Sequence, residues 1–146
     1  MRRKWLSWGL VMAQFGCLAA LGATGTVVAR SALLLAVQAV GLALAGWALW
    51  AMRDSLPHAL PDVRPNARLV SSGPFAVIRH PLYASLLMLT LAIVLDDFTA
   101  LRAGIWLALF VVLVIKLSYE EQLLAERFPE YAAYRQRTWR LIPFVF

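Results

Sequence analysis

Acidic residues, histidine and cysteine are all scarce in this chain of 146 residues, which has eight Asp or Glu, two His and one Cys. The lone Cys17 excludes an internal disulfide, and its place in the middle of an apolar run suits a small packing residue rather than a reactive thiolate. One Cys and two His, with His58 in a proline-rich stretch that offers no spaced partner, form no metal-ligand pattern. No Ser–His–Asp or Cys–His arrangement supports nucleophilic catalysis, and there is no Gly-rich phosphate loop. Ser71-Ser72-Gly73-Pro74 reads as a turn. Charged residues make up only 15% of the chain, against the ~25% usual in soluble domains, so a soluble catalytic domain is excluded.

What is present is apolar. Hydrophobic residues make up 62% of the chain and mean hydropathy is +0.71, the profile of an all-α integral membrane protein of one domain, residues 1–146. Four spans are predicted. The first lies within Trp5–Val28, behind Arg2-Arg3-Lys4; it is longer than a signal h-region and reads as a retained anchor. The second runs from about Ala32 to Met52 and completes an N-terminal pair, residues 1–52. A polar connector, 53–80, carries prolines 57, 61, 65 and 74, which rule out one continuous helix. A short hairpin, 81–118, follows: Pro81–Leu95, an outer turn at Asp96-Asp97 read as solvated, then Ala103–Ser118. Residues 119–146 hold a helical continuation to Glu126, a short helix with Pro129 in its first turn, and a tail, Trp139–Phe146, lying against the membrane surface.

Net charge is +6 and the isoelectric point is near 10.3, but topology explains this better than nucleic acid does. Twelve of the 14 basic residues fall at the N-terminus (Arg2, Arg3, Lys4), in the connector (Arg53, Arg64, Arg68, Arg79) or in the last segment (Lys116, Arg127, Arg135, Arg137, Arg140). Only Arg30 and Arg102 lie in the alternate turns. This positive-inside pattern predicts a multi-pass protein with both termini and the connector in the cytoplasm, in the inner membrane if the cell is bacterial.

Two polar clusters then share one membrane face. Arg79-His80-Pro81-Leu82-Tyr83 puts a cation, an imidazole and a phenol at a helix start that proline favours. Glu120-Glu121 sits at the end of the returning helix, where negative charge is disfavoured unless it faces a cation, either Arg79 or a ligand. Lys116 reads as a snorkelling anchor, and Gln14 and Gln38 as interhelical hydrogen-bonding residues. Phe128, Tyr131 and Tyr134 recur at three-residue spacing and give the last helix one aromatic side.

The series Gly73-Pro74-Phe75-x3-Arg79-His80-Pro81-x-Tyr83, Glu120-Glu121-x2-Leu124-x3-Phe128-x2-Tyr131-x2-Tyr134 and Arg140-Leu141-Ile142-Pro143 resembles the isoprenylcysteine carboxyl methyltransferase family, grouped with the membrane phospholipid methyltransferases. The resemblance covers roughly residues 66–146. It implies an S-adenosylmethionine site between the last hairpin and a C-terminal helix, lined by His80, Pro81, Tyr83, Glu120, Glu121, Tyr131 and Tyr134, with no metal. It also implies an acceptor that is lipophilic or lipid-modified, met among membrane lipids. Arg79, Glu120 and Glu121 would be the catalytic residues: Arg79, or Arg137 or Arg140 in its place, orients a carboxylate acceptor, whereas a Glu acts as base on an amine. Both acceptor classes stay open. Membrane sterol reductases, which use NADPH, share a similar Arg-His-Pro-x-Tyr and terminal Arg-x-x-Pro pattern, and a non-enzymatic lipid-binding protein on the same scaffold is the third reading. The chain departs from the family in having Ser85 where Gly is usual, which adds bulk beside the pocket.

Overall fold

The structure, a computed structural model, describes residues 2–53 and 69–146, with side chains from residue 5 onward. Prolines 57, 61 and 65, His58, Arg64 and Arg68 lie outside the described residues. Among the described residues five α-helices follow in order: α1 (Arg2–Ala23), α2 (Ala32–Ala51), α3 (Pro81–Asp96), α4 (Ala100–Arg127) and α5 (Tyr131–Gln136). A 3-10 turn, Gly73–Ala76, precedes α3. The described residues contain no strand, only an isolated parallel bridge between Ile78 and Trp139.

α1, α2 and α4 are long and apolar enough to cross a membrane. α3, with 16 residues, spans about 24 Å at 1.5 Å per residue, short of the ~30 Å hydrocarbon core. Three helices of spanning length and one shorter apolar helix therefore stand where four spans are predicted. α4 is longer than its apolar stretch. Its 28 residues extend about 42 Å, so the turns after Ser118 project beyond the apolar layer. α1 packs chiefly on α4 and α2 on α3, and the two pairs meet along α3 and α4. Leu87, Ile93, Leu109, Leu113 and Leu117 form the seam, with Leu21 reaching it from α1. The outer faces carry exposed Trp8, Met12, Phe15, Leu42, Leu107 and Val111, as lipid contact requires.

The end of the bundle far from Arg79 is a polar lock that its sequence does not announce. α1 stops at Ala23, five residues before the predicted limit, because the backbone of the following loop finds other partners. Gln38 accepts from Ala29 N–H at 2.8 Å and donates to the Val27 carbonyl at 3.1 Å. Asp96 accepts from the Arg30 and Ser31 N–H groups at 2.9 and 2.8 Å, so a carboxylate from α3 caps the N-terminus of α2. The Asp96 side chain is thereby buried, correcting the expectation of a wholly solvated turn.

Arg102 likewise lies in the first turn of α4 and not in a loop. It is 0% exposed and donates to the carbonyls of Leu21, Thr26 and Ile93. Gly25 makes this possible, since a Cβ there would collide with the Arg102 guanidinium and stand 2.5 Å from Asp97 Oδ2.

Candidate functional site

At the other end, three segments converge. Gly73 has φ +59°, a conformation that suits glycine, and a Cβ there would stand 3.1 Å from the Trp47 indole nitrogen. The turn that follows seats Phe75 and delivers residues 77–80 beside the C-terminal tail. There Trp139 N–H donates to Val77 O (2.9 Å), Arg79 N–H to Trp139 O (2.7 Å) and His80 N–H to Arg140 O (3.1 Å). His80 caps α3, and Pro81 takes the first helical position, as predicted.

The two motif clusters meet. Arg79 Nε donates to Glu121 Oε1 at 2.7 Å, and Arg140 places Nε and Nη2 at 3.2 and 3.0 Å from Glu121 Oε2. The Glu121 side chain is only 5% exposed. Burial alone would raise its carboxyl, but close His80 and the hydrogen bond and charge of Arg79 outweigh burial and hold it at about 2.

The His80 ring lies between the two carboxylates. Its Nδ1 is 3.6 Å from Glu120 Oε2, and its Nε2 is 3.4 Å from Glu121 Oε1, outside hydrogen-bond geometry. The Tyr83 ring stacks on it with centroids 5.6 Å apart and planes 10° apart, and the Tyr83 hydroxyl donates to Glu120 Oε1 at 2.6 Å.

Arg79 is more heavily engaged than its motif suggests. Its Nη1 donates to the Thr138 and Arg135 carbonyls, where α5 ends, and so ties the C-terminal segment down. Arg137 lies over the Tyr134 ring instead of at the cluster.

α5 starts at Tyr131, and Pro129 lies ahead of it instead of in its first turn. Phe128 O accepts from Tyr131 N–H at 3.0 Å, which places Pro129 in the second position of a tight turn that its fixed φ favours. Tyr131 and Tyr134 are both buried. Tyr134 donates to the Phe75 carbonyl at 2.7 Å. The Tyr131 hydroxyl has no partner among the described residues, and burial, then the negative charge of Glu121, pushes its acidity below that of an ordinary phenol.

Ser85 faces away from this cluster. It is two residues past Tyr83, about 200° around the helix, and its hydroxyl folds back onto the Leu82 carbonyl at 2.8 Å. Its backbone carbonyl packs against Gly41 of α2, so the small residue of this contact is in the neighbouring helix.

Lys116 turns inward, against the snorkelling expectation. It is 4% exposed, donates to Gln14 Oε1 at 2.9 Å and lies 5.4 Å from the centroid of the Tyr83 ring.

Residues 29–131 match the sequence profile of the phospholipid methyltransferase family. The chain belongs to that family. The match takes in Arg79–Tyr83, Glu120, Glu121 and Tyr131, and it makes the protein a member of a membrane methyltransferase family. Over 81 residues the chain is 36% identical to the cobalt-zinc-cadmium resistance protein CzcN of Cupriavidus metallidurans, a stretch covering 55% of this chain and 38% of that protein. The match thus spans little more than a third of that relative. No solved structure matches. Among the described residues, no group of three or more His, Cys, Asp or Glu side chains is placed to hold a metal ion.

Proposed function

We propose that the protein is an integral-membrane methyltransferase that uses S-adenosylmethionine and acts on a carboxylate or amine acceptor with a lipid-like tail. The observation that carries this reading is His80 set between Glu120 and Glu121, with the Tyr83 ring stacked on it. Carboxylates and an aromatic face suit a sulfonium cation. The unpartnered His80 Nε2 and Tyr131 hydroxyl fit the hydroxyl and carboxylate groups of the same cofactor, so the residues present suit it. When bound, the cofactor supplies an already activated methyl group.

The chain's own residues then have mainly to position and to exclude water. Glu120 and Tyr83, joined at 2.6 Å, present one carboxylate with its orientation set. Glu121, engaged by Arg79 and Arg140, keeps α4 joined to the tail and holds negative charge near His80. Arg79 acts in this reading as a positioning residue rather than as the binder of an acceptor carboxylate. For an amine acceptor, Glu120 is the base in reach, being less buried than Glu121 and free of an arginine partner among the described residues. The grouping of basic residues at this end supports a cytoplasmic site with both termini on the same side.

Calorimetry on the detergent-solubilised protein tests the reading. S-adenosylhomocysteine should bind and NADPH should not. Tight NADPH binding without S-adenosylhomocysteine binding would turn the protein into a reductase of the sterol type, and binding of neither would favour a non-enzymatic lipid-binding protein.

A further inference from the structure

Lys116 is a buried cation of the bundle interior that the proposed chemistry does not use. An ionisable side chain at membrane depth is costly and needs partners. The Lys116 ammonium carries three N–H donors. The contacts it makes among the described residues are one hydrogen bond to the neutral Gln14 amide, at 2.9 Å, and the face of the Tyr83 ring. Glu120, one turn further along α4, attracts it electrostatically. That carboxylate is instead bonded to the Tyr83 hydroxyl and set against His80, and it forms no ion pair with Lys116 among the described residues. Arg102, the other buried cation of the interior, is held by three carbonyls and lies at the far end.

The position of this ammonium, which has one hydrogen-bond partner among the described residues, points to what it meets. It lies on the bilayer side of Glu120 and Tyr83. Its partner Gln14 is one turn before Leu18 on the same face of α1. Leu18 begins an apolar groove of about 410 Å³ between α1 and the α2–α3 pair, lined further along by Leu21, Leu42, Leu89 and Ile93. Lys116 is therefore linked, through Gln14, to the face of α1 on which the groove begins one helical turn away, and from there the groove runs toward Val27 and Gln38 at the far end.

We infer that Lys116 binds the acceptor, its ammonium taking a carboxylate or phosphate oxygen of an anionic amphiphile whose hydrocarbon tail lies in the groove between α1 and α2. This rests on the methyltransferase reading for its role in catalysis, and it narrows the acceptor to one carrying an anionic group. A headgroup bearing only positive charge would meet a like charge in a water-poor setting. Lys116 is a specificity-determining residue, and Gln14 holds its side chain across from α4 to α1.

The test uses the full chain in maltoside detergent and displacement of the fluorescent fatty acid cis-parinarate. Palmitate, hexadecyl phosphate, palmitamide and hexadecylamine share a chain length and differ in headgroup. The anionic pair should displace the probe about ten-fold more strongly than the neutral and cationic pair. Comparison of palmitate with hexadecyl phosphate tells carboxylate from phosphate. K116Q should bring the ratio to within about two-fold, and K116R should restore it. Equal displacement by all four in the unmodified protein overturns the inference whether or not K116Q folds, as does an undiminished preference in folded K116Q. Anionic preference without S-adenosylhomocysteine binding upholds the Lys116 site and removes the methyl-donor reading. S-adenosylhomocysteine binding without anionic preference does the reverse.

Discussion

Arg79 and Glu121, 42 positions apart, join the start of α3 to the end of α4 through a 2.7 Å hydrogen-bonded ion pair in which both side chains are buried. Arg140 closes on the other carboxylate oxygen, so one glutamate holds three segments together. Removing one member of such a group leaves the remaining charges without compensation, which typically costs ~3–5 kcal/mol. Glu121→Ala is therefore expected to lower the unfolding midpoint in detergent by many degrees as well as to weaken S-adenosylhomocysteine binding. A variant as stable as the parent would remove Glu121 from its structural role.

The same pair predicts a pH dependence. The Glu121 carboxyl falls from 4.5 to about 2 on folding. Because the folded value is the lower one, its stabilising contribution is complete above the unfolded value and is lost as pH falls through the folded value. The unfolding midpoint should drop between about pH 4.5 and 2, and Glu121→Gln should flatten that part of the curve.

Tyr83→Phe deletes the hydroxyl that donates to Glu120 and leaves the ring stacked on His80. A hydrogen bond to a charged group contributes about 1.5–3 kcal/mol, so a loss of roughly ten-fold or more in S-adenosylhomocysteine affinity is expected with helix content unchanged. Unaltered affinity, read by calorimetry, would separate the Tyr83–Glu120 pair from the cofactor.

Deleting residues 139–146 removes the carbonyls that accept from Arg79 and His80 N–H, together with the Arg140 contact to Glu121. The truncated protein should still enter the membrane, since α1, α2 and α4 are untouched. It should lose S-adenosylhomocysteine binding. Retention of binding would show that the tail does not shape the site.

The lock at the far end offers a coupled test. Gly25→Ala places a methyl group against the Arg102 guanidinium, and Arg102→Ala removes the guanidinium. Each should destabilise alone, by about 2 kcal/mol or more, but Gly25→Ala should cost less once Arg102 is gone, because only the Asp97 carboxylate then crowds the new methyl group. Additive effects in thermal unfolding would show that the two residues do not meet.

Much of this architecture was legible before folding was considered. Long apolar runs can only be satisfied as helices in lipid, and Pro81 marks a helix start because its missing N–H is not needed there. The convergence of Arg79, His80 and Glu121 followed from a hairpin that returns both clusters to one end. What resisted reading were the side-chain directions. Lys116 looks like an interfacial anchor in sequence, since a cation at a helix end usually snorkels outward, and Arg102 looks like a residue of the outer turn. The Gln14 amide and the Tyr83 ring draw one inward, and the carbonyls left unpaired where α1 breaks draw in the other.

The sequence by itself determined the membrane setting, the helix order and the pairing of Arg-His-Pro-x-Tyr with Glu-Glu, because hydropathy and helix signals act over neighbouring residues. Tertiary structure alone decided how the two glutamates divide their work. Glu121 is taken up by Arg79 and Arg140, while Glu120 is left to Tyr83 and His80. Adjacent residues on a helix point about 100° apart, so identical side chains in sequence face different partners, and only the packing of α3, α4 and the tail determines which partners those are.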